Sequence, residues 1–520
     1  MDIISIILSV VQILVITLGI TNATKYDIHM FQLNSYRYRR YMRWLMPANI
    51  LTHNKWALFT AFALSFFPMI KWLPLILVTY FVWKEIISKY KTPIVFTKRV
   101  IRLYTTTLLL YIIIAGISIM AVPDYIMPIM TGALAFSNAI VLLANIINTP
   151  VEKTINYRFY SEAKKIISSN KDLIIIGVTG SFGKTSTKNY LASLLAEKYN
   201  VLVTPGNYNT LLGVVRTIRE QLRPYHQVFI VEMGAKQRGD IKEICDLVHP
   251  TIGIVTAVGE MHLETFKSIE NIQKTKFELI NSLPGNGLGV INIDSQYARE
   301  FKEISSQCRQ IKYAVEQPTA DVKANQVEYG AGGVTFTLST NGERYESRLL
   351  GTGNLLNMLA AISVAEHLGV PIQKQKSALS RLQPVEHRLS MRRANGITIL
   401  DDAYNSNPQG AAMALEVLKN FATGDKNKRI LITPGFVEMG ARQYDANREL
   451  GCKAAQCCDY IIVVNATNRE AIKSGIEEQG FTRDKLYLAD SLQQAHAHLA
   501  TILQAGDVVL YENDLPDNFK

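Results

Sequence analysis

The chain has 520 residues and a net charge of +11, which leaves room for roughly two to four domains. Its hydrophobic fraction of 48% and mean hydropathy of +0.09 are high for a purely soluble protein, and the apolar excess lies almost wholly before residue 150. Its 5 cysteines lack the paired spacing of metal ligands, so free thiols are expected rather than a cysteine metal site.

The first 150 residues are predicted to form an α-helical transmembrane domain. Residues 3–20 carry no charge and are long enough to cross a bilayer, and further apolar runs follow at 56–70, 73–87, 103–122 and 125–147. The basic stretches 21–55 and 84–102 are both expected in the cytoplasm. The segment between them is then a hairpin of two short helices, or a re-entrant pair. About five crossings result, which predicts a multi-pass cell-membrane protein with cytoplasmic catalytic domains.

The positive charge is concentrated beside these apolar runs. Membrane topology and contact with anionic membrane lipids therefore explain it better than nucleic acid, and no nucleic-acid partner is expected. Arg37, Arg39, Arg40 and Arg43 either only set the topology or also bind the phosphates of a lipid-linked substrate.

After residue 150 the pattern changes to alternating strands and helices, which indicates an α/β fold with a largely parallel sheet. A turn-rich insertion at about 310–350 is predicted to form a short antiparallel excursion. A boundary near residues 383–387 separates a central α/β domain at 165–385 from a Rossmann-like C-terminal domain at 386–520. The predicted strands are 173–178, 200–204, 227–232, 252–256, 288–293, 397–401, 429–433, 459–464 and 507–511.

A glycine-rich turn, Thr179-Gly-Ser-Phe-Gly-Lys-Thr185, follows the first of these strands and opens a helix. Several backbone N–H groups and a helix N-terminus then surround one point, which suits the phosphates of a nucleotide. Lys184 is expected to reach the β- and γ-phosphates and Thr185 to bind Mg²⁺. Val178 stands where the strict P-loop pattern has its first glycine, so a turn without a ligand is the alternative.

Three further motifs follow in the same domain. Glu232 ends a hydrophobic strand and is well placed to hold Mg²⁺ beside a P-loop. His262 follows the strand at 252–256, where a purely structural histidine is the alternative. Lys276 lies in Lys274-Thr-Lys-Phe-Glu278, which taken alone also fits a solvated helix face.

Together these motifs resemble the Mur ligase family over about residues 165–465, most closely the branch that adds D-alanyl-D-alanine to UDP-MurNAc-tripeptide. They occur in the family's order and at its spacing. The match is carried by Thr179-Gly-Ser-Phe-Gly-Lys-Thr185, Gly206-Asn-Tyr-Asn-Thr210, Glu232-Met-Gly-Ala235, His262-Leu-Glu264, Lys276-Phe-Glu278, Asn354-Leu-Leu-Asn357, Arg388 and Asp401-Asp-Ala-Tyr-Asn-Ser-Asn-Pro408.

The resemblance implies a reaction in two stages. ATP phosphorylates a substrate carboxylate, and an amine then attacks the acyl phosphate to give an amide, ADP and phosphate. Two Mg²⁺ ions offset the charge of the approaching anions. The resemblance assigns Thr185 and Glu232 to one ion and His262 to the second, and it makes Lys276 the family's carbamylated lysine. Lys184, His262 and Lys276 are thus the expected catalytic residues.

The resemblance also implies two sets of binding residues. Asn354 would contact the adenine, Arg388 the phosphates and Asp402 the ribose, with domain closure completing the site. The full nucleotide set is Thr179, Gly180, Ser181, Gly183, Lys184, Thr185, Ser186, Asn354, Asn357, Arg388 and Asp402, and the expected substrate residues are Asn207, Asn209, Thr210, Asn405 and Asn407.

Two departures from the family leave the substrate open. Apolar segments stand where the family has a UDP-binding domain, and residues 511–517 end the chain with an unfamiliar sequence. We therefore predict a membrane-bound ATP-dependent amide ligase of cell-wall precursor synthesis, which joins a cell-envelope precursor, expected in lipid-linked form, to an amino acid or dipeptide. One alternative is a synthase of a poly-γ-glutamate-type polymer. Another is a transporter or scaffold with a regulatory nucleotide-binding domain, which the scarcity of ionisable residues in the apolar runs disfavours.

Overall fold

The computed structural model describes residues 3–34, 36–45, 55–70, 72–88, 90, 92–206, 208–261, 263–330, 332–404, 406–421 and 427–515. The chain divides into two compact units, a first unit up to Tyr157 and a second unit, Arg158–Leu515.

The first unit is helical, as predicted. Its helices bury an apolar core that includes Leu58, Val78, Phe81 and Leu134. The helices are α1 (Ile3–Leu33), α2 (Tyr38–Leu45), α3 (Lys55–Leu64), α4 (Leu73–Ile87), α5 (Lys98–Ala121), α6 (Ile126–Ala135) and α7 (Ser137–Ser169), with short 3₁₀ turns at Pro68–Ile70 and Pro123–Tyr125. The last residues of α7, from Arg158 on, belong to the second unit.

The predicted membrane topology is wrong. Among the described residues one helix, Lys98–Ala121, is long and apolar enough to cross a membrane. A second candidate span arises only if the helical segments Pro123–Ala135 and Ser137–Ser169, with a bend of 74° between them, are counted as one. The prediction of about five crossings, and with it the multi-pass cell-membrane location, is therefore corrected. For the predicted hairpin the physical reason is helix length: α3 has 10 residues and α4 has 15, so they reach about 15 and 22 Å, against a hydrocarbon core of about 30 Å.

The first unit also contains a buried ion pair that the sequence did not indicate. The Nζ of Lys55 lies 2.6 Å from Oδ1 of Asp27 and also donates to the Ser137 hydroxyl at 3.2 Å. All three side chains are almost fully buried. Lys55 belongs to the basic stretch 21–55 that was expected in the cytoplasm, and its tertiary partner Asp27 accounts for its burial.

A nine-stranded sheet forms the first half of the second unit, in the order β2-β3-β1-β4-β5-β6-β7-β8-β9. Neighbouring strands are parallel from β2 to β7, and β7, β8 and β9 pair antiparallel. The strands are β1 (Ile174–Thr179), β2 (Val201–Val203), β3 (Val228–Glu232), β4 (Ile252–Val255), β5 (Leu288–Asn292), β6 (Arg309–Ala314), β7 (Val322–Gly330), β8 (Gly333–Leu338) and β9 (Arg344–Ser347). The helices are α8 (Lys184–Leu195), α9 (Leu211–Gln221), α10 (Asp240–Val248), α11 (Leu263–Phe266), α12 (Ile269–Asn281), α13 (Gln296–Arg299), α14 (Gly351–His367) and α15 (Ile372–Ser380).

A second sheet follows, in the order β10-β11-β15-β12-β13-β14, with only the β10–β11 pair antiparallel. Its strands are β10 (Ser390–Ala394), β11 (Ile397–Asp402), β12 (Arg429–Thr433), β13 (Tyr460–Val464), β14 (Leu486–Ala489) and β15 (Val508–Glu512). The helices are α16 (Pro408–Asn420), α17 (Gln443–Cys457), α18 (Arg469–Glu478) and α19 (Leu492–Ile502), with 3₁₀ turns at Gly440–Arg442 and Arg483–Lys485.

All nine predicted strands are present in the second unit, and the antiparallel excursion corresponds to β7–β9. The edge strands β10 and β14 and the strand β6 were missed. A signal for β10 was available: Asn395-Gly396 joins it to β11 with both residues at positive φ, and this dipeptide is typical of a tight hairpin. The five cysteines are free, as predicted.

Candidate active site

The loop between β1 and α8 is held by side chains that the sequence had assigned to the nucleotide. The Thr179 hydroxyl donates to the Met233 carbonyl at 2.9 Å. The Ser181 hydroxyl donates to the Gly259 carbonyl and accepts from the Gly259 N–H, both at 3.0 Å. Both side chains are buried, so their hydroxyls anchor the loop to the ends of β3 and β4 and leave the backbone to face a ligand.

Two glycines of this loop are required by its geometry. Gly180 has φ +153°, and a Cβ there would lie 2.0 Å from the Thr256 hydroxyl oxygen. Gly183 has φ +82°, and a Cβ there would lie 2.4 Å from Oδ1 of Asn357. A side chain at either position would collide with the segment after β4 or with α14, so only glycine is compatible with the loop conformation at these two positions.

Lys184 is the first residue of α8. Its Nζ donates to the carbonyls of Gly180 and Ser181 at 2.7 and 3.2 Å, which folds the side chain back over the loop. Removal from water lowers the pKa of Lys184 to about 8, and the Glu232 carboxylate offsets part of that shift. The ammonium is therefore placed over the loop whose backbone would hold phosphates.

Glu232 ends β3 and is buried among cations. Its Oε1 accepts from the Asn209 amide at 3.0 Å, and Oε2 lies 3.0 Å from Nζ of Lys188. Burial raises the pKa of Glu232, but the ammonium groups of Lys188 and then Lys184 outweigh it, so the pKa lies below its ordinary value. Glu232 is thus ionised at neutral pH.

Lys188 is a site residue that the sequence analysis missed. It is 1% exposed and, besides facing Glu232, it donates to the carbonyls of Thr204 and Gly206 at 2.8 Å each. It follows Lys184 by one helical turn on α8, which is the signal that would have found it. Lys188 therefore joins the P-loop helix to Glu232 and to the segment that precedes Asn209.

Replacing Lys188 with methionine is expected to destabilise the protein by about 3–5 kcal/mol, because it leaves the buried Glu232 anion without its main partner. The measurement is the free energy of unfolding in urea. The double variant Lys188→Met, Glu232→Gln is the matched control and should recover part of the loss, since neither member of the pair then carries a charge. Equal stability of Lys188→Met and the parent would contradict the ion pair.

Lys276 lies on α12 and is 4% exposed. Within the described residues its Nζ makes no hydrogen bond or ion pair. The pKa of Lys276 is lowered to about 7, first by burial and then by the Lys184 ammonium, against the weaker opposing effects of Glu278 and Asp240. Much of this amine is therefore neutral at physiological pH, which is unusual for a lysine.

The neighbouring Glu278 has a structural role. Its carboxylate accepts from the backbone N–H groups of Gly239 and Lys242 at 2.7 and 3.0 Å, at the start of α10. This contact stabilises the helix N-terminus. In the motif Lys276-Phe-Glu278, only the lysine is therefore free to act on a ligand.

One cleft joins the two sheets of the second unit. Residues from the P-loop, from α14 and from the start of the second sheet line it together, although they are up to about 230 positions apart in the chain. The predicted residues in its wall are Gly183, Thr185, Ser186, Asn354, Asn357, Arg388, Asp402 and Asn407. The sequence analysis missed Phe182, Thr256, Asn292, Leu389, Tyr404, Ser406 and Met413, which line the same cleft.

Arg388 and Asp402 face each other in this cleft. The Arg388 guanidinium lies 4.5 Å from the centre of the Tyr404 ring, and Oδ1 of Asp402 accepts from the Leu389 N–H at 2.9 Å. Burial raises the pKa of Asp402 to about 6, against the opposing effect of Arg388. A cation and a partly desolvated carboxyl thus lie opposite the P-loop.

On α14, Asn354 is held in place by its neighbours. Its Oδ1 accepts from the Tyr190 hydroxyl at 2.8 Å, and its Nδ2 donates to the Leu350 carbonyl at 2.9 Å. Asn357 accepts from the Thr187 hydroxyl at 3.1 Å and lies against Gly183. The two amides are therefore oriented before any ligand arrives.

The proposed substrate residues are placed less uniformly. Thr210 caps α9 through Gly213, and Asn407 caps α16 through Gly410, so both side chains have local roles. Asn209 is bound to Glu232. His262, Asn207 and Asn405 lie outside the described residues.

The donors at the end of β3 suit Mg²⁺. The Glu232 carboxylate is buried and ionised, with Oε2 facing the Lys188 ammonium, and the Thr185 hydroxyl lies in the wall of the cleft. Magnesium is usually held by one or two carboxylates together with phosphates and water, so a larger ligand cluster is not required. The described part of the chain contains no group of three or more His, Cys, Asp and Glu placed to hold a metal.

Comparison with known proteins gives one family for most of the second unit. The Mur ligase middle domain matches residues 178–365, and the Mur ligase glutamate ligase domain matches residues 387–511. The UDP-N-acetylmuramoyl-tripeptide–D-alanyl-D-alanine ligase of Mycobacterium tuberculosis (strain CDC 1551) is 32% identical over 359 residues, which cover 65% of this chain and 70% of the relative. The enzyme of the same name from Escherichia coli is 28% identical over 337 residues, 64% of this chain and 74% of the relative. The solved structure of MurF ligase from Thermotoga maritima in complex with ADP has a TM-score of 0.61 and 28% identity, covering 69% of this chain and 80% of that one.

Proposed function

This chain belongs to the Mur ligase family and is an ATP-dependent ligase that forms C–N bonds in peptidoglycan precursor synthesis, and from that premise we propose that it joins UDP-N-acetylmuramoyl-tripeptide to D-alanyl-D-alanine. The two substrates are those in the names of the relatives above. The observation that carries the proposal is the cleft itself, where the P-loop of one sheet faces Arg388 and Asp402 of the other.

We propose that ATP binds in this cleft with its phosphates on the P-loop. The backbone N–H groups before α8 and the ammonium of Lys184 would hold the β- and γ-phosphates, and the Arg388 guanidinium would face them from the second sheet. Asn354 would contact the adenine and Asp402 the ribose. These assignments use side chains that are already oriented by their neighbours.

The chemistry then needs charge compensation more than covalent help from the protein. A carboxylate oxygen of the tripeptide attacks the γ-phosphorus and ADP leaves, giving an acyl phosphate. The amine of the dipeptide attacks the acyl carbon, phosphate leaves, and the nitrogen loses a proton. Lys184 and Arg388 offset the negative charge that accumulates when two anions approach. Bound Mg²⁺ would supply the remaining positive charge, held by Thr185 and Glu232, with His262 for a second ion.

We also propose that Lys276 is carbamylated. A neutral amine attacks CO₂, a new N–C bond forms and a proton is released, which turns a buried cation into an anion. The setting of Lys276 supports this, since it is buried, makes no hydrogen bond in the described residues and has a pKa of about 7. The resulting carboxylate would hold a metal ion near Lys184.

The UDP-linked acceptor replaces the lipid-linked acceptor expected from the sequence. The relatives compared above are named for a UDP-linked precursor. Lipid partners were expected from the membrane topology, which the fold has corrected. We propose that the helical first unit takes the place of the family's UDP-binding domain. We also propose that residues 165–385 and 386–520 form the two ligase domains of this chain. Membership of a ligase family favours catalysis over the transporter or scaffold.

The test uses the purified full-length chain with ATP, Mg²⁺ and both substrates, and follows phosphate release together with the mass of the product. The proposal is supported if the mass of the product exceeds that of the acceptor by one D-alanyl-D-alanine unit, and if phosphate release requires both substrates. Omission of the dipeptide is the control. A preference for the lipid-linked form of the same precursor would overturn the acceptor, and repeated addition of glutamate would favour the polymer synthase.

A further inference from the structure

The end of β15 lies at the point where the loops of the second sheet meet. β15 pairs with β11 on one side and β12 on the other, and its last residue, Glu512, is in register with Asp402 of the cleft. Asn513 follows in the left-handed region with φ +66°. These two residues belong to the terminal segment that did not resemble the family, and the proposed chemistry gives them no role.

Asn513 connects three segments of backbone. Its Oδ1 accepts from the Ser406 N–H at 3.2 Å, and its Nδ2 donates to the Gly435 carbonyl at 2.6 Å. Its own N–H donates to the Asp402 carbonyl at 3.3 Å. One side chain therefore joins the chain after β11, which carries Tyr404 and Ser406 into the cleft, to the chain after β12.

Glu512 also contacts the chain after β11, through Ser406. Its carboxyl accepts from the Ser406 hydroxyl, and its side chain is fully buried. Burial raises the pKa of Glu512 well above its ordinary value, and the nearby Asp402 carboxylate raises it further. Asp402 in turn faces the Arg388 guanidinium, which lowers the pKa of Asp402 against the effects of burial and of the neighbouring Asp401. Glu512 is thus a buried hydrogen-bond acceptor for Ser406, in register with Asp402.

We infer that Glu512 and Asn513 are positioning residues for nucleotide binding: they hold Asp402 and Ser406, and with them the segment after β11 whose Tyr404 contacts the Arg388 guanidinium, against the site of ATP. This inference rests on the proposed nucleotide site. Neither residue lines the cleft, so they act only through the residues they hold.

Asn513→Gly tests the inference directly, because glycine keeps the positive φ and removes both side-chain hydrogen bonds. The measurement is the dissociation constant for ATP with Mg²⁺ by calorimetry. This readout needs neither the acceptor nor the amine, so an error in the proposed substrates does not affect it. The expected result is binding weakened about tenfold. The matched control is Asn395→Gly, which also has an asparagine at positive φ, +51°, but lies in the β10–β11 turn. Equal ATP affinity in the two variants would overturn the inference.

A second comparison covers the case in which Asn513→Gly does not fold. Glu512→Gln keeps a neutral acceptor for Ser406 beside Asp402, whereas Glu512→Leu keeps the volume and removes the acceptor. We expect ATP affinity within about threefold of the parent for the glutamine variant and about tenfold weaker for the leucine variant. Identical affinities for the two would show that Glu512 only fills space and would overturn its positioning role.

Discussion

Alanine at Lys184 is expected to lower the rate of ATP-dependent ligation by at least about 10²- to 10³-fold while the protein stays folded. The ammonium lies over the loop that is proposed to hold the phosphates, so its loss removes charge stabilisation in the transition state. The loop itself is still held by Thr179 and Ser181, which bind the ends of the neighbouring strands. The measurement is phosphate release with both substrates present, together with thermal unfolding.

The control for this variant is Lys302→Ala, which removes an exposed lysine of the same domain. It should leave both rate and stability unchanged. Activity of Lys184→Ala within a few-fold of the parent would reject the P-loop assignment. A large fall in the melting temperature without a fall in rate would instead show that the two loop hydrogen bonds of Lys184 are its main function.

Methionine at Lys276 is expected to abolish ligation and to stabilise the protein, two effects of opposite sign. The activity is lost because no carbamate can form. The stability rises by about 1–3 kcal/mol because a buried amine without a hydrogen-bonding partner in the described residues is replaced by an apolar side chain of similar size. The matched control is Lys274→Met on the same helix, whose partly exposed ammonium pairs with Glu303 at 3.1 Å and should change neither property appreciably.

The same residue predicts the pH dependence of stability. The pKa of Lys276 is about 7 in the folded protein and 10.5 as an ordinary lysine, so the unfolded chain binds more protons between these values. Its contribution to stability therefore increases as pH rises from about 7 toward 10.5. Urea unfolding at pH 7 and pH 9 should show this rise in the parent and a smaller rise in Lys276→Met. An identical rise in both would contradict the lowered pKa.

Addition of short carboxylates provides a separate test of the carbamate. Lys276→Ala leaves space where an added acetate or formate is able to supply the missing anion. Partial recovery of ligation is expected, and full activity of the parent in bicarbonate-free buffer would contradict a role for the modification.

The sequence by itself determined the elements and the chemical class of the second unit. Runs such as Ile174–Thr179 and Val228–Glu232 are strongly apolar and β-branched, so strand formation follows from local pattern alone. The loop before Lys184 and the carboxylate at Glu232 are recognised from a few consecutive residues, because each directly follows or ends a predicted strand. These signals sufficed to predict an ATP-dependent ligase of the Mur type.

Tertiary structure alone decided which side chains meet and which are buried. Lys188 and Glu232 are 44 positions apart, yet they form an ion pair in the interior. Glu278, two positions after Lys276 in the same motif, binds the start of a helix 36 to 39 positions away, and Ser406 is held by Glu512 and Asn513 at the end of the last strand. The apolar runs of the first unit suggested membrane spans, but the length of each helix depends on where the chain turns. The burial of a side chain and its ion-pair or hydrogen-bond partners depend on residues distant in sequence, so they could not be predicted. Strand and loop patterns depend on residues adjacent in sequence, so they could.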